Sequence, residues 1–157
     1  MLMGEQIVKL TYPEIRELKT ADFGKEANLT AYIEEHIQRF VDEILEDVLI
    51  EYSTEYQFDR ASFGPRAPRV DFYITGQRKD YLIECKNPKH PAENRHAIGQ
   101  LLNYGRKHNK PCELVIVSTL YDDDTAKTIG HWNLPIKYIY FEKEKALIYK
   151  GEWKDGS

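Results

Sequence analysis

Cysteine is scarce in this sequence: Cys85 and Cys112 are the only two. Two cysteines cannot build a disulfide scaffold, and their spacing matches no metal-ligand pattern. Nowhere does the chain run to the eighteen or so consecutive apolar residues of a membrane span, so no membrane partner is expected. The opening Met-Leu-Met-Gly-Glu lacks the positive start and apolar stretch of a secretory signal, and a cytoplasmic protein is expected. There is no internal repeat, low-complexity tract or interdomain linker, and 157 residues suit one domain. Nor is there an excess of base: the net charge of −4 argues against simple coating of phosphate. The chain does hold the material of a core. With 41% hydrophobic and 12% aromatic residues, it is not a wholly disordered chain.

The charge is unevenly spread. From Glu26 to Glu55 nine acids face one base, Arg39, whereas from Arg60 to Lys110 eleven bases face four acids. Three of the five histidines also fall in that basic middle third. A solvated helix beside solvated loops accounts for such an asymmetry.

Periodicity divides the chain into elements. Residues 1–25 read as a loosely packed arm. An apolar stripe of helical period (Leu29, Ile33, Ile37, Phe40, Val41, Ile44, Leu45, Val48) predicts one helix over Leu29–Val48. Leu49–Phe58 reads as a strand and Ala61–Pro68 as a loop. Val70–Thr75 and Tyr81–Lys86 alternate around Gly76–Asp80 and predict a hairpin. Asn87–Glu93 is a second loop, Arg95–His108 a helix and Glu113–Ser118 a buried strand. Asp122–Asp124 opens a short helix as an N-terminal cap, and Ile136–Glu142 with Ala146–Lys150 forms a terminal hairpin. The expected architecture is α/β (α+β): an αβββαβ core over 29–118, with a mixed central sheet flanked by helices. A C-terminal extension, 119–157, adds the hairpin.

The predicted hairpin concentrates chemistry. Side chains alternate along a strand, so Glu84 and Lys86 share a face and a neighbouring strand brings Asp71 beside them. Two close carboxylates repel unless a cation lies between them, and such an oxygen set suits Mg²⁺ or Mn²⁺. The sequence contains its own control. Glu17-Leu18-Lys19 and Glu152-Trp153-Lys154 repeat the Glu-x-Lys spacing, but Gly4 and Ile139 stand where an Asp is needed. On the first helix, at about 100° per residue, Glu34 falls within roughly 20° of Val41 and Leu45 and so turns inward, with Glu35 in water. Gln100 and Tyr104 are four apart and share a face of the second helix, which also carries Arg95, Arg106 and Lys107. An ordinary surface ion-pair cluster is the competing structural reading of Asp71, Glu84 and Lys86.

Together these motifs resemble the PD-(D/E)XK nuclease superfamily, the restriction-endonuclease-like fold. The pattern is Glu34-x-x-Ile-Gln-x-Phe40, Val70-Asp71, Glu84-Cys85-Lys86 and Gln100-x-x-x-Tyr104, with Val70 where the family has proline. The resemblance implies a Mg²⁺-dependent nuclease, with Mn²⁺ as substitute, that hydrolyses phosphodiester bonds of nucleic acid, DNA being the expected substrate. It implies Asp71, Glu84, the Cys85 backbone carbonyl and Glu34 as metal ligands and Lys86 as the group that orients the attacking water. It further implies Gln100 and Tyr104 as positioning groups, with Arg69, Arg95, Arg106 and Lys107 meeting the phosphates. A homodimer is expected by the same analogy. The alternative is a nucleic-acid-binding or assembly module that keeps the fold without catalysis.

Overall fold

A computed structural model of the chain describes residues 8–10, 14–17, 26–57, 69–86, 90–108, 110–142 and 145–153. The predicted loop Ala61–Pro68 and the first residues of Asn87–Glu93 lie outside these. Among the described residues, eight strands form one mixed sheet in the order β1-β8-β7-β6-β5-β4-β3, with β2 also on β8. They are β1 (Val8–Leu10), β2 (Glu14–Glu17), β3 (Leu49–Gln57), β4 (Arg69–Gly76), β5 (Asp80–Lys86), β6 (Cys112–Ser118), β7 (Ile136–Glu142) and β8 (Lys145–Trp153). Pairing is antiparallel from β3 to β5, parallel from β5 to β7, and antiparallel again onto β8. The parallel steps need crossovers, and helices supply them. The first is α3 (Asn94–Lys107), after a 3₁₀ turn at Pro91–Glu93; the second is α4 (Asp123–His131).

Helices cover both faces. On one, Leu29, Ile33, Phe40, Val41 and Ile44 pack on Phe72, Ile74, Tyr81 and Ile83. On the other, Ala97, Leu101 and Ile129 pack on Leu82, Leu114 and Ile116. The central strand β5 is buried along six of its seven positions, as a strand covered on both faces must be. Asp122 caps α4 as expected: its Oδ2 accepts from the Thr125 N–H at 3.0 Å. Among the described residues no helix is long and apolar enough to cross a membrane.

Two expectations are corrected. The first helix is not continuous. It comprises α1 (Glu26–Glu35), a break at His36, α2 (Ile37–Arg39) and a π-helical turn over Phe40–Ile44. The apolar stripe survives because each piece docks on the sheet, but its helical phase does not carry across the break. Likewise, the 1–25 arm is not loose where it is described, because β1 and β2 pair antiparallel along β8. Side chains at an edge position satisfy either a coil or a strand, and pairing with β8 is a tertiary event.

Candidate active site

The site begins with the alternation of β4. Phe72 and Ile74 are buried on the α1 side, and Asp71, Tyr73 and Thr75, half-buried, alternate with them. The β4–β5 register pairs Tyr73 with Leu82 and Phe72 with Ile83, and ends there. Asp71 and Glu84 occupy the next position on each strand, on the face covered by α3. Where the ladder stops, the Asp71 side chain takes over: its Oδ2 accepts the Cys85 backbone N–H at 2.7 Å.

Glu84 is buried, 7% exposed, and Lys86 Nζ lies 3.9 Å from its Oε2. Burial pushes the Asp71 carboxyl above the usual carboxylate range; the Cys85 N–H and the Lys86 charge pull against that shift, and Glu55 adds to it. From α3, the buried Tyr104 closes the group. Its hydroxyl is pushed up first by burial and then by the charges of Glu84 and Asp71. The structure thus brings together Asp71, Glu84, Lys86 and Tyr104, contributed by β4, β5 and α3.

Other expected residues stand elsewhere. Glu34 does not turn inward: it is exposed, like Glu35, and its Oε2 accepts the Tyr52 hydroxyl at 3.0 Å. The reason is the break at His36. Val41 and Leu45, which set the predicted inward direction, lie beyond it and do not share the phase of α1. Gln100 is exposed, one turn before Tyr104, and Arg69 is exposed at the start of β4. Arg95 is engaged by Asp122 at 3.3 Å and Asp124 at 3.8 Å, which ties it to the start of α4. Arg106 donates to Asn103 Oδ1 at 3.2 Å, and Lys107 is half-buried in the last turn of α3.

Sequence reasoning missed Glu55. In the β3–β4 register Thr54 pairs with Phe72 and Tyr56 with Val70, so Glu55 stands opposite Asp71. Its backbone is left-handed, φ 49°, inside a strand. A non-glycine residue there carries strain, and nothing in the stretch Leu49–Phe58 signals it. Beyond Glu55, Tyr56 lies against Tyr73, with ring centroids 4.8 Å apart and planes tilted by 55°, whereas Tyr52 packs on the α1 side.

A divalent cation suits part of this set. Asp71 and Glu84 supply two hard oxygen donors in a partly dehydrated place, and Mg²⁺ is commonly held by one or two carboxylates with substrate and water completing its shell. Among the described residues, no group of three or more His, Cys, Asp or Glu converges as a metal site. The fit is therefore to a two-carboxylate site and not to the four-ligand set the resemblance implies.

The fold is a mixed sheet between helical layers, with an acid pair and a lysine on two adjacent strands, β4 and β5. No protein-family model matches the sequence, and no curated protein matches it. Among solved structures, the chain is similar to the small subunit of the heterodimeric restriction endonuclease R.BspD6I. The TM-score is 0.44 at 13% identity, covering 74% of this chain and 60% of that one. It is also similar to SfsA of Pyrococcus furiosus, solved in complex with Ca²⁺. There the TM-score is 0.38 at 12% identity, covering 81% and 64%. The chain spans less than two thirds of the length of either.

Proposed function

We propose that this protein is a metal-dependent nuclease that hydrolyses phosphodiester bonds of nucleic acid, with DNA as its substrate. One observation carries the reading: Asp71 and Glu84 share a face at the end of a paired hairpin, with Lys86 two residues on and 3.9 Å from Glu84. An ordinary surface ion pair has no need to bury its acid, and Glu84 is buried.

Asp71, Glu84 and the Cys85 carbonyl would hold Mg²⁺ or Mn²⁺, which when bound supplies positive charge against the phosphate and acidifies a coordinated water. The chain's own groups do the rest. The Cys85 N–H fixes the Asp71 carboxylate in one orientation and leaves its second oxygen available. The Lys86 ammonium, tethered by Glu84, offsets negative charge developing on the phosphate and holds the attacking water. The Tyr104 hydroxyl stays protonated beside the two acids and serves as a donor to water or phosphate oxygen. Arg69, Gln100 and Arg106 are exposed and would be the groups that meet the nucleic-acid backbone.

The test is cleavage of labelled DNA with Mg²⁺, with Mn²⁺ and with chelator. Glu84→Ala should lower the cleavage rate at least about 100-fold with an unchanged circular dichroism spectrum. Metal-dependent cleavage retained by that variant would overturn the assignment. A second reading, a nucleic-acid-binding module without catalysis, is favoured by the lack of a third converging acid among the described residues. It is the outcome if the unmodified protein retains labelled DNA in a gel but leaves it uncut.

A further inference from the structure

The face of the sheet that carries the acid pair also holds a buried polar group that the cleavage chemistry does not use. Asp80 opens β5 four residues before Glu84, on the same face by alternation and about 13 Å away at ~3.3 Å per residue. It is 8% exposed. Tyr73 follows Asp71 by two residues on β4 and packs on the α3 side. His108 ends α3 one turn after Tyr104, and its backbone N–H donates to the Tyr104 carbonyl oxygen at 3.0 Å.

Three elements meet in this group. The Tyr73 hydroxyl donates to Asp80 Oδ2. His108 Nε2 stands 3.1 Å from the same hydroxyl and 3.7 Å from Asp80 Oδ2, and the His108 and Asp80 side chains are only 10% and 11% exposed. The Tyr73 and His108 rings meet edge to face, with centroids 5.3 Å apart. Cys112 stands opposite Asp80 in the β5–β6 register, and burial, then the Asp80 charge, pushes its thiol up. Burial and then the hydrogen bond to Asp80 push the Tyr73 hydroxyl far above the ordinary phenol range, so it keeps its proton. A hydroxyl has one proton to give. With that proton on Asp80, the oxygen accepts from His108, which makes Nε2 a protonated ring nitrogen.

Taking a carboxylate, a phenol and an imidazole out of water is costly, and apolar side chains of like volume would pack α3 as firmly. A hydrogen-bonded cluster adds direction: it fixes the last turn of α3 against β4 and β5, the strands that carry Asp71 and Glu84. Tyr104 stands at the start of that turn. We propose that His108 is a positioning residue: its Nε2–H, held by the Tyr73 hydroxyl beside Asp80, anchors the end of α3 so that the Tyr104 hydroxyl stays beside the Asp71–Glu84 pair. The inference rests on the nuclease reading of that pair. A misplacement of about 1 Å at such a donor is enough for a ~100-fold loss of rate.

The experiment measures cleavage of labelled DNA by the full chain at saturating Mg²⁺, well below the melting temperature of every variant. His108→Ala should lower kcat at least tenfold and leave KM within twofold. His108→Gln, whose amide N–H reaches the place of Nε2, should keep kcat within threefold of the parent. In a Tyr104→Phe background His108→Ala should cost less than twofold more, because the donor it positions is already gone. Nitrogen NMR of the unmodified protein should show a hydrogen on His108 Nε2. If His108→Ala does not fold, Tyr73→Phe, which keeps the ring and removes the hydroxyl, takes its place with the same expected loss. A bare Nε2, an unchanged kcat, or equal losses in the two backgrounds overturns the inference, since a merely structural role lowers the melting temperature alone. A parent protein that cuts no nucleic acid overturns the nuclease reading and this role with it; a parent that cuts while these variants keep their kcat overturns this role only.

Discussion

Asp71 holds a charge where water is scarce. Burial disfavours its ionised form, and one main-chain N–H and a nearby ammonium only partly offset that. Asparagine at this position keeps an oxygen for the Cys85 N–H and removes the charge. Asp71→Asn should therefore raise the melting temperature in chelator at neutral pH while abolishing metal-dependent cleavage, and thermal scans beside rate measurements check both signs. A lower melting temperature would mean that the carboxylate stabilises the fold. Glu34 and Glu35 are a contrasting pair of equal chemistry. Both are exposed, and Glu34 accepts the Tyr52 hydroxyl. Glu34→Gln and Glu35→Gln should each leave the cleavage rate within about twofold and stability within about 0.5 kcal/mol. A selective loss in Glu34→Gln would return it to the site.

At the scale of elements, the β4–β5 hairpin that carries the acids is clamped from the segment after the π-helical turn. Asp47 is buried and accepts the backbone N–H groups of Val48 at 2.7 Å and Arg78 at 3.1 Å. It also accepts that of Lys79 at 3.4 Å and the Tyr81 hydroxyl at 2.7 Å. Gly76 leaves room for this carboxylate: a Cβ there would stand 2.4 Å from Asp47 Oδ2. Burial alone would raise the Asp47 pKa, but the Tyr81 hydroxyl and the three N–H donors outweigh it and hold it below the usual range. A depressed carboxylate contributes stability above its unfolded pKa and loses it as pH falls through the native value. Asp47→Ala strips four donors of their acceptor and should cost about 3 kcal/mol at neutral pH. The deficit should shrink below the ordinary carboxylate range, where the parent protein loses the same contribution; denaturant melts at several pH values measure it.

For the whole molecule, one place that depends on distant chain segments is the outer edge of β8. The short strands β1 and β2 cover it. Without them the strand presents unpaired N–H and C=O groups, a template for another chain. A chain lacking residues 1–17 should melt lower and associate more strongly with rising concentration than the full chain, as sedimentation velocity would detect. Unchanged melting and association would make the two strands incidental to the fold.

Local signals were enough for the elements whose pattern and burial agree. The hairpin of β4 and β5, the helix α3, the buried β6, the Asp122 cap and the closing hairpin follow from period, turn residues and capping chemistry, all encoded within a few residues. The same alternation placed Asp71, Glu84 and Lys86 on one face, because a two-residue repeat needs no knowledge of what packs above it. Tertiary structure alone decided the rest. The break at His36 and the π-helical turn change the phase along one apolar stripe, and Glu34 stands away from the acids. The left-handed backbone of Glu55 opposite Asp71 has no residue preference to announce it. The pairing of Lys79 and Lys137 through Glu113 joins three strand starts or turns distant in sequence. Period and propensity act over neighbours, whereas helix phase across a break, strain inside a strand and charge pairing between strands depend on which surfaces meet.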